Sequence, residues 1–176
     1  EQVVTFTIAL GENPTHVMVT KDTLQENVPY LFELTQGNLS KELYFTGKMD
    51  GHYFGTTENM AEAKAIYLEK TTDGYYLAFR GSENAKKYIS LVLNGNYKNL
   101  VFSDTPTTVW VFNETYNTFT TTLSDGKTYY MGTSKNFNTI SASEITYASK
   151  DGNFVSHLYT TPNVEVDAPY AMYIYQ

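Results

Sequence analysis

The sequence contains no cysteine, a single tryptophan and no long apolar segment. The absence of cysteine excludes disulfide bonds, thiolate catalysis and cysteine-ligated zinc or iron–sulfur sites. No run of about 18 apolar residues occurs, so we expect no membrane insertion. Basic residues are also scarce: 12 lysines and arginines against 19 aspartates and glutamates give a net charge of −7. This acidic balance argues against nucleic acid as a partner.

Aromatic residues are abundant instead, with 16 tyrosines and 10 phenylalanines in 176 residues. Tyrosine, phenylalanine, threonine and valine favour β-strands, so the composition predicts an all-β protein. A chain of this length can bury roughly two-thirds of its unfolded surface, which is enough for one domain without covalent cross-links.

Short runs that alternate apolar and polar residues fill the chain from residue 29 to residue 160. Several of the turns between them contain Asp-Gly or Asn-Gly, which supply the positive φ angles that tight hairpins need. The runs predict strands at residues 31–34, 43–46, 53–55, 65–69, 75–79, 87–93, 100–103, 109–113, 118–123, 128–132, 139–143 and 154–160.

An internal repeat groups these strands into three units. Tyr44, Tyr88 and Tyr129 recur at intervals of 44 and 41 residues, and Ile66 and Val109 form a second matching pair. Three units of about 40 residues with four short strands each predict a β-trefoil-like fold, in which six strands close a barrel and three hairpins cap it. The alternative is a β-sandwich, which also has short strands joined by regular turns.

Two extensions flank the repeat region. Residues 1–28 predict an N-terminal strand, at residues 3–9, followed by a polar connector. Residues 29–160 form the predicted trefoil-like domain. Residues 161–176, rich in tyrosine, predict a C-terminal tail that packs on the domain.

Trp110 lies between two valines in the eighth predicted strand. Alternation places Val109 and Val111 on one face of the strand and Trp110 on the other. If the valines face the barrel, the tryptophan lies on its outer side, under the C-terminal tail.

Several runs in the repeat region together resemble a known module. They are residues 41–57, 87–89, 102–106, 129–133 and 136–143. The chain is similar there to a poorly characterised trefoil-like module of large secreted or surface-attached proteins of Gram-positive gut bacteria. Some of those proteins also carry an endonuclease/exonuclease/phosphatase-type domain. The resemblance covers residues 29–160 and implies an extracellular or cell-surface accessory role, with no catalytic residue to carry over.

Sequence signatures of catalysis are missing. His16, His52 and His157 are far apart and lack metal-ligand spacing. No Gly-x-Ser-x-Gly elbow and no glycine-rich phosphate loop occurs. The acidic residues that could form a hydrolytic pair fall in turns or at strand ends, where turn chemistry explains them. We therefore expect no enzyme, no cofactor and no catalytic metal, with a structural cation on turn oxygens as an open alternative.

The turns between the second and third strands of the three units combine aromatic and polar residues. Sugar rings stack their apolar C–H faces on aromatic side chains, while carboxylates and amides bind their hydroxyls. The candidate ligand-binding residues are Asp50, His52, Tyr53, Asn94, Asn96, Tyr97, Asn136 and Phe137. They predict a glycan-binding module with at least one exposed ring among the three turns, although the Gln-x-Trp signature of ricin-type lectins is absent. The alternative is a structural spacer, or a contact module for neighbouring domains of a longer chain.

Overall fold

The computed structural model describes residues 16–36, 41–134 and 137–161. The predicted strand at residues 3–9 and the tail after residue 161 lie outside these ranges, as does Asn136. The described part of the N-terminal connector runs beside the last strand. There the backbone N–H of Val19 donates to the carbonyl oxygen of Leu158 at 2.8 Å. The predicted division of the chain into a domain and two extensions stays a prediction.

Twelve strands make up the fold of the described residues, and each overlaps one of the predicted runs. They are β1 (Tyr30–Gln36), β2 (Lys41–Asp50), β3 (Tyr53–Thr57), β4 (Ile66–Lys70), β5 (Tyr75–Arg80), β6 (Lys86–Asn94), β7 (Tyr97–Ser103), β8 (Val111–Asn113), β9 (Thr118–Thr122), β10 (Thr128–Ser134), β11 (Thr139–Glu144) and β12 (Asn153–Thr160). The hairpin turns behave as the sequence predicts, with φ of 60° at Gly51 and 61° at Gly95. Short 3-10 turns lie at Lys21–Thr23, Met60–Glu62, Ser82–Asn84 and Ile145–Tyr147.

Six of the strands close a barrel in the order β1, β4, β5, β8, β9 and β12. The ladders β12–β1, β4–β5 and β8–β9 join neighbouring units. Within the first two units, shorter contacts join the first and last strands, at Tyr30↔Ile66 and Tyr75↔Trp110. In the third unit the hydroxyl of Thr118 donates to the carbonyl oxygen of Ser156, at 2.5 Å. The closed ring confirms the trefoil-like fold, because a sandwich consists of two separate sheets.

Three hairpins, β2–β3, β6–β7 and β10–β11, cap one end of this barrel. A cluster of phenylalanine rings lies beneath them. The rings of Phe54 and Phe102 are stacked at a centroid distance of 4.6 Å, and Phe45 meets Phe79 edge-on at 5.3 Å. Such pairs add to the stabilisation from burial alone, so the cap and the barrel share one apolar core.

The three repeated tyrosines occupy equivalent places. Each lies in the second strand of its unit and pairs with both the first and the third strand, as the pairs Tyr44↔Glu33 and Tyr44↔Thr57 show for the first unit. All three rings are at most 9% exposed. Each hydroxyl donates to a carboxylate: Glu42, Glu69 and Asp125 respectively. The repeat inferred from these residues is confirmed.

An ion pair recurs with the same symmetry and was not predicted. In each unit, a lysine near the start of the second strand meets a carboxylate 17 residues later, at the end of the third strand. The pairs are Lys41–Glu58, Lys87–Asp104 and Lys127–Glu144. Their exposed positions make each pair worth little by itself, typically below about 1 kcal/mol.

Trp110 corrects one expectation. Its side chain is fully buried in the core, and its Nε1–H donates to the carbonyl oxygen of Ile89 at 2.9 Å. Val111 is 49% exposed. The tryptophan therefore faces the interior and Val111 faces outward, the reverse of the arrangement expected if the valines faced the barrel. The alternation itself is correct, but alternation does not determine which face is buried.

Candidate functional site

The three candidate turns lie at the tips of the cap hairpins. Tyr53 begins β3, Tyr97 begins β7, and Phe137 precedes β11. Their side chains are 46%, 75% and 58% exposed. The prediction that at least one of these rings is exposed is confirmed for all three.

A surface groove of about 390 Å³ joins two of these turns. It lies between the β2–β3 and β6–β7 hairpins, and its lining residues are His52, Tyr53, Asn94, Tyr97, Lys98 and Asn99. Four of the six are residues predicted from the sequence. The structure thus brings the first and second turns together into one site, within the size range of small-molecule sites.

The pairing of the hairpins explains why the groove opens there. Strand β3 pairs with β11 through Phe54↔Ile140 and Gly55↔Thr139, which closes the junction between the first and third hairpins. Strand β7 forms a ladder only with β6 among the described strands. Among the described strands, no ladder therefore joins the β6–β7 hairpin to the other two cap hairpins, and the groove lies between it and the β2–β3 hairpin.

The β6–β7 hairpin supplies one wall of the groove. Asn94 lies directly opposite Tyr97, and Val92 lies directly opposite Asn99. Residues opposite each other in an antiparallel pair share a face, as do residues two apart along a strand. The ring of Tyr97 is thus flanked by two amide side chains on a single face.

The β2–β3 hairpin supplies the other wall. Tyr53 pairs with Asp50 across the turn, and the next residue, Phe54, is fully buried in the aromatic core. Because successive side chains in a strand point to opposite faces, the burial of Phe54 directs Tyr53 outward. The exposed ring is therefore anchored by its buried neighbour.

The polar side chains of the groove form no hydrogen bond and no ion pair within the described part of the chain. His52, Asn94, Lys98 and Asn99 make no side-chain hydrogen bond and no ion pair to any described residue. The ammonium group of Lys98 lies 5.2 Å from the centroid of the Tyr129 ring. Hydrogen-bonding capacity in this groove is left for solvent or a ligand.

The remaining candidates lie elsewhere. Asp50 and Asn96 are exposed in their turns but do not line the groove, and Phe137 belongs to the third hairpin. Sequence reasoning missed Lys98 and Asn99. The alternation rule could have identified Asn99, because this residue lies two positions after Tyr97 and on the same face of the strand. Lys98 gave no such signal.

A second depression, of about 260 Å³, lies over β4 and β5 and includes Glu69, Arg80 and Lys86. Each of these three charged side chains already has a partner within the protein. Lys86 pairs with Glu69, Glu69 also accepts from the hydroxyl of Tyr88 at 3.2 Å, and the guanidinium of Arg80 donates to the carbonyl oxygen of Asn84 at 3.4 Å. This surface therefore offers less free hydrogen-bonding capacity than the groove.

Each of the three histidines has different neighbours. Nε2 of His16 lies 2.6 Å from a carboxylate oxygen of Glu33, a buried residue of β1. Nδ1 of His157 donates to the carbonyl oxygen of Asn117 at 2.7 Å. His52 lies in the groove. Within the described ranges, no three acidic or histidine side chains converge as a metal site would require.

Comparison of the chain with protein-family models, with curated proteins and with solved structures finds no match. In the described residues, no helix is long and apolar enough to cross a membrane.

Proposed function

We propose that this chain is a non-catalytic carbohydrate-binding module and that the groove between the β2–β3 and β6–β7 hairpins is its binding site. One observation carries the proposal: two exposed tyrosine rings lie beside four polar side chains that have no hydrogen-bond or ion-pair partner among the described residues. Sugars present apolar C–H faces and hydroxyl edges, and they are recognised by a combination of flat apolar rings and hydrogen-bonding groups.

The ordered backbone beneath the two rings supports this function. Tyr97 is fixed in the β6–β7 ladder, and Tyr53 follows a tight turn and precedes the buried Phe54. Stacking of a ligand on these rings requires no ordering of the backbone, so more of the contact energy contributes to affinity.

The lining chemistry favours binding over hydrolysis. Glycoside hydrolysis commonly uses two carboxylates that flank the scissile bond. Among the described residues that line the groove, none is an aspartate or a glutamate. We accordingly assign the groove to recognition and not to turnover.

The resemblance of residues 29–160 to modules of secreted and surface-attached bacterial proteins supports an extracellular or cell-surface location. A contact module for neighbouring domains is the second candidate. The observation that favours it is Val92, an apolar side chain that is 37% exposed on the same hairpin face as Tyr97.

A glycan array with the full chain, followed by calorimetric titration of the hits, tests the proposal. Tyr53→Ala and Tyr97→Ala should each weaken binding about 5- to 150-fold, which corresponds to the roughly 1–3 kcal/mol gained by burying one large apolar side chain. Both variants should keep the melting temperature of the parent, because exposed side chains contribute little to stability.

Phe137→Ala is the matched control, since it removes an equally exposed ring outside the groove. It should bind like the parent. Absence of any glycan hit, or equal binding by all three variants, would contradict the proposal and leave the contact module ahead.

A further inference from the structure

We infer that the glycan taken by this groove is acidic and that Lys98 meets its carboxylate or sulfate group. The inference rests on the proposed function and narrows the class of ligand. Its basis is the single lysine of the described lining, which has no ion-pair partner there and no carboxylate beside it.

Lys98 is the one described lining residue whose side chain can only donate. The amides of Asn94 and Asn99 each supply two N–H donors and a carbonyl acceptor, and the imidazole of His52 supplies at least one N–H donor. No carboxylate lines the groove to accept protons from sugar hydroxyls. Hydroxyls both donate and accept, whereas carboxylate and sulfate oxygens only accept. A groove with an ammonium group and no carboxylate in its described lining is thus better matched to an anionic sugar than to a neutral one.

Lys98 is the one cation in this lining, and its charge is uncompensated. It is half-buried and forms no ion pair with any described residue. By contrast, Lys41, Lys87 and Lys127 each meet a carboxylate in the repeated ion pairs. A charge-assisted hydrogen bond to an anionic ligand would be roughly twice as strong as one between neutral groups.

The neighbourhood of Lys98 leaves it available. The same lysine also borders a smaller depression of about 210 Å³ that includes Glu144 and Tyr147. The carboxylate of Glu144 is already engaged by the amino group of Lys127, at 2.6 Å. The face of the Tyr129 ring attracts the ammonium of Lys98 without neutralising it.

The overall charge of the chain makes Lys98 important for any anionic ligand. With a net charge of −7, the molecule as a whole repels an anion. An acidic glycan would therefore depend on a local cation for its affinity, and in this groove that cation is Lys98.

The test is an array that carries neutral glycans beside their uronate-, sialate- and sulfate-bearing counterparts, probed with the full chain. Hits should concentrate among the acidic members. For a carboxylate-bearing hit, conversion to its methyl ester should weaken binding about tenfold, the scale of one charge-assisted hydrogen bond. The sulfated and carboxylated arms identify which anion is recognised.

Variants assign the effect to one residue. Lys98→Gln should lose about tenfold in affinity for the acidic glycan and little for its ester, whereas Lys98→Arg should retain most of the preference. Lys41→Gln makes the same change in net charge at an exposed ion pair and should change neither affinity. Thermal melts of the lysine variants check that the fold is kept.

The experiments distinguish a failure of this inference from a failure of the proposed function. Equal binding of acidic glycans and their neutral counterparts, with Lys98→Gln unchanged, overturns this inference and leaves the proposed function standing. Silence across the whole array overturns the proposed function, and the inference with it.

Discussion

Replacing Trp110 by alanine tests the packing of the barrel. The side chain is fully buried in the core and hydrogen-bonded through Nε1 to the carbonyl oxygen of Ile89. Burial of about 150–250 Å² at about 25 cal/mol per Å² gives roughly 4–6 kcal/mol, in line with the roughly 3–5 kcal/mol of measured aromatic-to-alanine changes in cores. We expect Trp110→Ala to lower the free energy of unfolding by about 4 kcal/mol.

Val111→Ala is the control, because it truncates the next residue of the same strand, which is 49% exposed. It should cost less than about 1 kcal/mol. Urea unfolding followed by far-ultraviolet circular dichroism measures both variants, since Trp110→Ala removes the only tryptophan and with it the fluorescence signal. A larger loss in Val111→Ala than in Trp110→Ala would refute the assignment of the two faces.

Three further predictions concern other sites. Gly132→Ala should destabilise the domain by about 3 kcal/mol in thermal melts, because a Cβ there would lie 2.0 Å from the carbonyl oxygen of Phe154. Ser156→Ala should be neutral or slightly stabilising in the same assay, because the buried Ser156 hydroxyl has no hydrogen-bond partner among the described residues. Burial and the hydrogen bond to Asp125 raise the pKa of Tyr129 from 10.0 to about 12. The stabilisation that this shift represents is fully present below pH 10 and is lost as the pH rises to 12. Tyr129→Phe should therefore reduce the decrease in unfolding free energy that alkaline pH causes.

The strand order and the repeat could be predicted because their signals are local. Alternation and Asp-Gly or Asn-Gly turns mark each strand where it occurs, as at Gly51 and Gly95. The three tyrosines repeat because each occupies the same junction of three strands in its unit. A threefold arrangement of the backbone thus leaves a threefold trace in the sequence.

The face of Trp110 could not be predicted, because alternation separates two faces without naming the buried one. At residues 109–111 a bulky aromatic side chain and two valines compete for the interior, and the closed barrel accommodates the indole beside Ile89. Which side chain fills the space depends on residues from other units, and these are distant in the sequence.

The turns of the candidate site could be predicted from the sequence, but the meeting of two of them in one groove could not. Tyr53 and Tyr97 have recognisable turn contexts, but their meeting in one groove depends on the non-local pairing of β3 with β11. That pairing joins the third hairpin to the first, whereas Phe137 does not line the groove. The contribution of Lys98 depends on the same arrangement, since nothing in its local sequence distinguishes it from the other lysines.

The most direct test of the central claim is to map the bound glycan by nuclear magnetic resonance. Backbone amide shifts of the ¹⁵N-labelled chain are followed during titration with the tightest array hit. We predict that the largest shifts fall on His52, Tyr53 and residues 94–99, around the groove, and that Tyr97→Ala needs about 5- to 150-fold more glycan to produce them. Shifts centred instead on Glu69, Arg80 and Lys86, or on no described residue of either hairpin, would contradict it.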